Sequence, residues 1–170
     1  MKSKRHSAGF TLVETLVAIS ILLISLAGPL TIAAKSLNSA IFARDQITAF
    51  YLAQEGVEFV RKVRDDNILG GADWKSGLDA CLSGNICNVD VATSDIVPCS
   101  GTCPVLFYDS ATGFYNTQSG NPSIFTRTLS IAEISPTEMN LSVTISWRTG
   151  LISRSFTASE HLLEWVGDSL

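Results

Sequence analysis

Histidine is almost absent from this 170-residue sequence. Its two instances, His6 and His161, are too few and too far apart to support a metal cluster or a histidine-centred catalytic triad. No glycine-rich phosphate loop follows a candidate strand. Cys81, Cys87, Cys99 and Cys103 have five, eleven and three residues between them, which is not the paired CxxC spacing of a zinc site. Charge is scarce, at 16% of residues. Asp65, Asp66, Asp73 and Asp79 lie in polar stretches where solvation is the ordinary fate of a carboxylate, and Asp73 and Asp79 around Gly77 do not match an EF-hand loop. No internal repeat of useful period is present. These absences argue against an enzyme, and neither cofactor nor metal is expected.

The apolar residues that make up 46% of the chain are concentrated near its N-terminus. Across residues 10–34 the only ionisable side chain is Glu14. At about 1.5 Å per residue, a helix of that length exceeds the roughly 30 Å hydrocarbon core of a bilayer. The preceding MKSKRHSAG carries Lys2, Lys4 and Arg5, and the positive-inside bias places it in the cytoplasm with the remainder outside. A cleavable secretory signal would have a shorter apolar run with its small residues after it. Here the small pair Ala8-Gly9 stands before the run. Loss of residues 1–9 would remove three cations and take the net charge from −4 to −7, which disfavours attraction to nucleic acid.

Gly9 followed by Phe10-Thr11-Leu12-Val13-Glu14 and a long apolar helix resembles the N-terminal signal of type IV pilins and type II secretion pseudopilins. The resemblance is specific over residues 2–34 and only architectural beyond. It implies that prepilin peptidase, a membrane aspartyl protease, cuts between Gly9 and Phe10 and methylates the new amine of Phe10. It further implies that the inner-membrane assembly machinery stacks the subunit with other pilins into a filament. In that setting Glu14 would meet the N-terminal ammonium of a neighbouring subunit, which offsets the cost of a carboxylate in a membrane helix. Gly28-Pro29 predicts a kink or local melting, because proline removes an amide donor and clashes with the preceding turn. Pilin helices often carry such a proline slightly further along.

The expected organisation is a leader over 1–9, a transmembrane or filament-core helix over 10–34, and an amphipathic continuation over 35–66. An irregular cysteine-bearing segment over 67–104 and an antiparallel sheet over 105–170 follow. Leu52, Gly56, Phe59, Val60 and Val63 form an apolar helical stripe that requires a cover. The cysteines, in an exported segment, favour disulfides over free thiols or a metal site. Cys81 with Cys87 and Cys99 with Cys103 is the favoured pairing among three connectivities. Segments 105–108 and 114–115 form a candidate hairpin, and 125–131 a third strand. Leu141, Val143, Ile145 and Trp147 alternate with polar residues as in a half-buried strand. After a turn at Thr149-Gly150, 152–158 returns as another strand, and 161–165 is expected to tuck the end down. The fold class is α+β, a long helix packed on an antiparallel sheet, as in pilins. The expected function is a minor pilin or pseudopilin, anchored by one helix with its C-terminal domain outside the cytoplasm. The alternative is an anchored extracytoplasmic binding or adhesion module that never polymerises.

Overall fold

A computed structural model describes Gly9 and residues 11–165. One helix, α1 (Leu12–Leu69), is followed by a short 3-10 turn (Asp79–Cys81) and seven strands. These are β1 (Ile86–Asp90), β2 (Asp95–Cys99), β3 (Val105–Tyr108), β4 (Tyr115–Asn116), β5 (Asn121–Ser135), β6 (Glu138–Thr149) and β7 (Ile152–Leu163). The α+β layout expected from the sequence is borne out. The chain divides into two compact units, Met1–Arg44 and Asp45–Leu170.

Up to Arg44, helix α1 is built from leucine, isoleucine and alanine with few polar interruptions. Through residue 40 its large apolar side chains stand exposed, among them Leu12, Ile24 and Leu30. The helix is unbroken through Pro29, so no local melting occurs there. The hydroxyls of Thr15, Ser20, Ser25 and Thr31 each donate to a carbonyl three or four residues earlier, at 2.7–2.8 Å. Internal satisfaction of this kind is what an apolar solvent demands of polar side chains.

From Asp45 onward the same helix buries one face. Ala49, Leu52, Ala53, Gly56, Val57, Phe59 and Val60 recur at helical spacing and are buried. Their cover is the inner face of the sheet, where Phe125, Leu129 and Ile131 of β5 and Leu141, Val143, Ile145 and Trp147 of β6 are buried. Gly56 marks the closest approach: a Cβ there would lie 3.0 Å from a methyl group of Val143. Val63, expected on the same stripe, is only half-buried.

All the strand pairings are antiparallel. β5 is the central organiser, pairing with β6 on one side and with β1 and β3 on the other. β7 pairs only with β6, in unbroken register from Glu138↔Leu163 to Thr149↔Ile152. Two expectations need correction. The segment 67–104 is not simply irregular, because β1 and β2 form a hairpin within it. Its apolar alternation is hidden by Asn88 and Asp90, which are buried in spite of their polarity. Residues 161–163 do not tuck away either. They complete β7, with Leu162 buried opposite Met139. The structure joins Cys81 to Cys87 and Cys99 to Cys103, and no described cysteine is free. The first bridge ties the 3-10 turn to β1, and the second ties the end of β2 to the loop before β3.

Candidate functional site

Helix α1 opens on the motif singled out in the sequence. Gly9 is exposed, outside any regular element, and has open space where a side chain would be. Phe10, the expected new N-terminus and methylation site, lies outside the described residues, as does the leader before Gly9. Thr11 caps the helix. Its hydroxyl accepts a hydrogen bond from the Glu14 N–H at 3.2 Å, and its carbonyl accepts one from the Thr15 N–H at 3.2 Å. Thr11-Leu12-Val13-Glu14 therefore has the spacing of a capping box, with threonine before the first turn and an acid three residues on. A carboxylate in the first turn also meets the positive end of the helix dipole favourably. This local role for Thr11 and Glu14 was missed at the sequence level, although the T-x-x-E spacing before an apolar run would have shown it. Glu14 itself is exposed.

In the second unit the main electrostatic feature is Arg127, fully buried on β5. Its guanidinium donates to Glu55 Oε2 at 2.6 Å, Asn88 Oδ1 at 3.0 Å, and the carbonyls of Val89 at 2.6 Å and Leu52 at 3.3 Å. It thus fastens helix, β1 and β5 together. Burial pushes its pKa below the ordinary value, against the opposing pull of Glu55. Asp90, also buried, receives hydrogen bonds from the backbone of Ala92 and Thr93 and from both the N–H and hydroxyl of Thr117. Burial alone would raise its pKa, but these donors together hold the carboxyl below its usual range. A third link runs from helix to β7, where Arg61 reaches Glu160 at 2.7 Å and Glu58 at 2.8 Å. Each of these clusters joins elements of the fold, although the Asn88 side-chain nitrogen beside Arg127 is buried without a hydrogen-bond partner. Among the described residues no group of three or more histidine, cysteine, aspartate or glutamate side chains is placed to hold a metal.

Residues 4–28 match the family model described as the prokaryotic N-terminal methylation motif. No curated protein and no solved structure matches the chain. The motif, the exposed apolar helix and the sheet that follows mark a pilin-like protein of the type processed by prepilin peptidase. Within that class the chain is type IV pilin- or pseudopilin-like.

Proposed function

We propose that this chain is a structural subunit, a minor pilin or pseudopilin, of a type IV pilus or type II secretion-like filament. The observation that carries this reading is the pairing of the methylation motif with a helix whose apolar surface stays exposed through residue 40. Such a surface needs lipid before assembly and neighbouring helices after it. The basic leader sets the N-terminus in the cytoplasm and the sheet unit outside. Prepilin peptidase cuts between Gly9 and Phe10 and methylates the freed amine. The inner-membrane machinery then moves the subunit among other pilins, where Glu14 matches a neighbour's Phe10 ammonium. Gly28 and Pro29 give the segment its weakest backbone hydrogen bonding and set where it bends on packing.

The rival, an anchored module that never polymerises, draws support from the capping geometry, which gives Thr11 a purpose within one chain, and from the place of Glu14 in the first turn, where the helix dipole favours an acid. Mass spectrometry separates the two. A mature chain that starts at a methylated Phe10 and is recovered in sheared surface fibres is the expected result. A membrane-resident chain that keeps Met1 to Gly9 overturns the filament reading.

A further inference from the structure

The sheet ends on two unlike sides. On one, β2 is short and carries Pro98, and β4 spans only Tyr115–Asn116, so little backbone is offered to another strand. On the other, β7 runs from Ile152 to Leu163 without proline, glycine or a break in its register, and among the described residues it pairs only with β6. A long, regular edge of this kind presents a row of backbone donors and acceptors to any strand that fits it.

Which residues form that row follows from the turn. Gly150-Leu151, with Gly150 at φ +63°, closes a two-residue hairpin, in which the flanking Thr149 and Ile152 exchange hydrogen bonds. Antiparallel pairs then alternate, so even-numbered residues of β7 bond to β6 and odd-numbered ones turn their N–H and C=O to the free edge. Two contacts agree with this phase. The Glu164 N–H donates to the Thr137 carbonyl at 3.0 Å, and the hydroxyls of Thr144 and Thr157 meet at 2.9 Å, as the closer, non-hydrogen-bonded pairs allow. Arg154, Phe156, Ala158 and Glu160 alternate along the face on which Arg61 of the helix reaches Glu160 and Phe50 lies against Phe156, with ring centres 5.8 Å apart.

We propose that β7 pairs with β7 of a second copy of this chain, antiparallel about a two-fold axis through Thr157. In this register Ser153 lies opposite His161, Arg154 opposite Glu160, Ser155 opposite Ser159 and Phe156 opposite Ala158. Each end of the seam thus sets one positive side chain against one negative. Odd-numbered residues meet odd-numbered ones, as the hydrogen-bond phase requires. Charges on an edge ordinarily deter a second strand, and here a shift to any other register leaves Arg154 and Glu160 unmatched. Glu160 keeps its bond to Arg61, because a carboxylate has acceptor sites for a second guanidinium. Beside the seam lies a hollow of about 230 Å³, lined by Phe50, Val57, Phe156 and Ala158 among others, which supplies apolar surface to bury. The two-fold reverses the direction of the helix segment packed on the sheet. Neighbours in one filament share one direction, so this contact is separate from filament packing and joins copies that approach from opposite directions.

The test uses the full-length chain in detergent micelles, where copies can meet in either direction. Cys81, Cys87, Cys99 and Cys103 are engaged in bridges, so a cysteine introduced on β7 is the single free thiol. In the proposed pair, Thr157→Cys sets the two thiols on residues about 5.5 Å apart at Cα, within disulfide range, whereas the two copies of Ser153→Cys stand about 27 Å apart. Under mild oxidation Thr157→Cys is expected to form a linked dimer at least about tenfold faster than Ser153→Cys. Adding Arg154→Glu to Thr157→Cys sets like charges opposite each other and is expected to slow linkage about tenfold, while Arg154→Lys preserves it. Failure of Thr157→Cys to link, equal rates at positions 153 and 157, or a rate unchanged by Arg154→Glu overturns the proposal.

Discussion

Helix α1 is one element with two kinds of surface. Through residue 40 its large apolar side chains are exposed, and the hydroxyls of Thr15, Ser20, Ser25 and Thr31 are satisfied by its own carbonyls. From Asp45 the apolar residues turn to one side, small residues admit the sheet, and charged residues reach out to β5 and β7. Secondary structure is therefore the same in both stretches, whereas the source of stability differs. The first gains nothing from tertiary burial within the chain and depends on what surrounds it. The second depends on a packed core and on a few buried polar links. Substitutions should consequently sort by side of Arg44, and the stability of the Asp45–Leu170 unit is the measure that sorts them.

The largest effect on that unit should come from Arg127→Ala. It strands the Glu55 carboxylate, removes one of the two donors to Asn88 Oδ1 and takes the guanidinium from the Val89 carbonyl on β1, at a cost of about 3 to 5 kcal/mol in urea unfolding. Replacing Arg127 with methionine and Glu55 with leucine together should recover much of the loss, since no buried charge is then stranded. An Arg127→Ala variant of wild-type stability would show that the helix is held to the sheet by apolar packing alone.

Gly56→Leu comes next. The new side chain starts 3.0 Å from Val143 and 3.4 Å from the Arg127 side chain, so it must prise helix from sheet. A loss of about 1 to 3 kcal/mol is expected. Gly28→Leu, with nothing within 4 Å, makes the control on the other side of the comparison and should leave the melting of the sheet unit unchanged.

Asp90 gives a pH-dependent form of the same contrast. Its folded pKa lies below the unfolded value of about 3.9, so its contribution is complete above that value and fades as pH falls through the folded pKa. The sheet unit should thus lose stability on acidification below about pH 4. Asp90→Asn should flatten that part of the profile while lowering stability at neutral pH, because the amide cannot accept from Ala92, Thr93 and Thr117 together. Denaturation followed from pH 7 to pH 3 would show it.

What was legible in the sequence follows the same divide. The N-terminal helix is readable because its signal is crude: one uninterrupted apolar run with one acid. The strands at β5 to β7 are readable because alternation is strict where one face is buried and the other carries serine and threonine. Where buried positions are polar, the pattern fails. Asn88 and Asp90 conceal β1, and Arg127 interrupts the apolar face of β5 while serving as the main link in the core. These residues are buried for their partners, and a partner 27 to 75 positions away leaves no periodic trace. His161 and Leu163 likewise read as a tail, since only the register with β6 shows them to be strand. At the N-terminal site the motif is local, and so its residues could be read, although Thr11 was passed over for the more conspicuous Glu14.

A charge placed in the first stretch should invert the pattern of the second. Leu22→Lys is expected to leave unfolding of the Asp45–Leu170 unit unchanged, because Leu22 is 58% exposed and contributes nothing to that core. Membrane insertion should instead be impaired, by about 2.5 to 3.5 kcal/mol if position 22 sits near the bilayer centre. Extraction of the expressed chain by carbonate separates inserted from peripheral protein. A Leu22→Lys variant that destabilises the sheet unit would mean that the division at Arg44 is drawn in the wrong place.

The smallest effect on stability, and the sharpest discrimination, is expected at Glu14. As the last residue of a capping box it can be replaced by glutamine, whose side chain serves the same box and whose neutral charge costs only the weak dipole term. As an assembly contact it cannot, because glutamine offers a neighbouring ammonium no opposite charge. Glu14→Gln therefore keeps the local reason for an acid and removes the intermolecular one, while Thr11→Ala does the reverse, at about 1 kcal/mol of helix capping. Neither should shift the melting of the sheet unit. Expressed in a host that assembles the filament, with cleavage after Gly9 verified by mass spectrometry, Glu14→Gln should be processed yet missing from sheared fibres, and Thr11→Ala should be processed and incorporated. Wild-type incorporation of Glu14→Gln would assign Glu14 to the cap. Loss of incorporation in Thr11→Ala alone would make the geometry of the first turn, rather than the charge it carries, the property on which assembly depends.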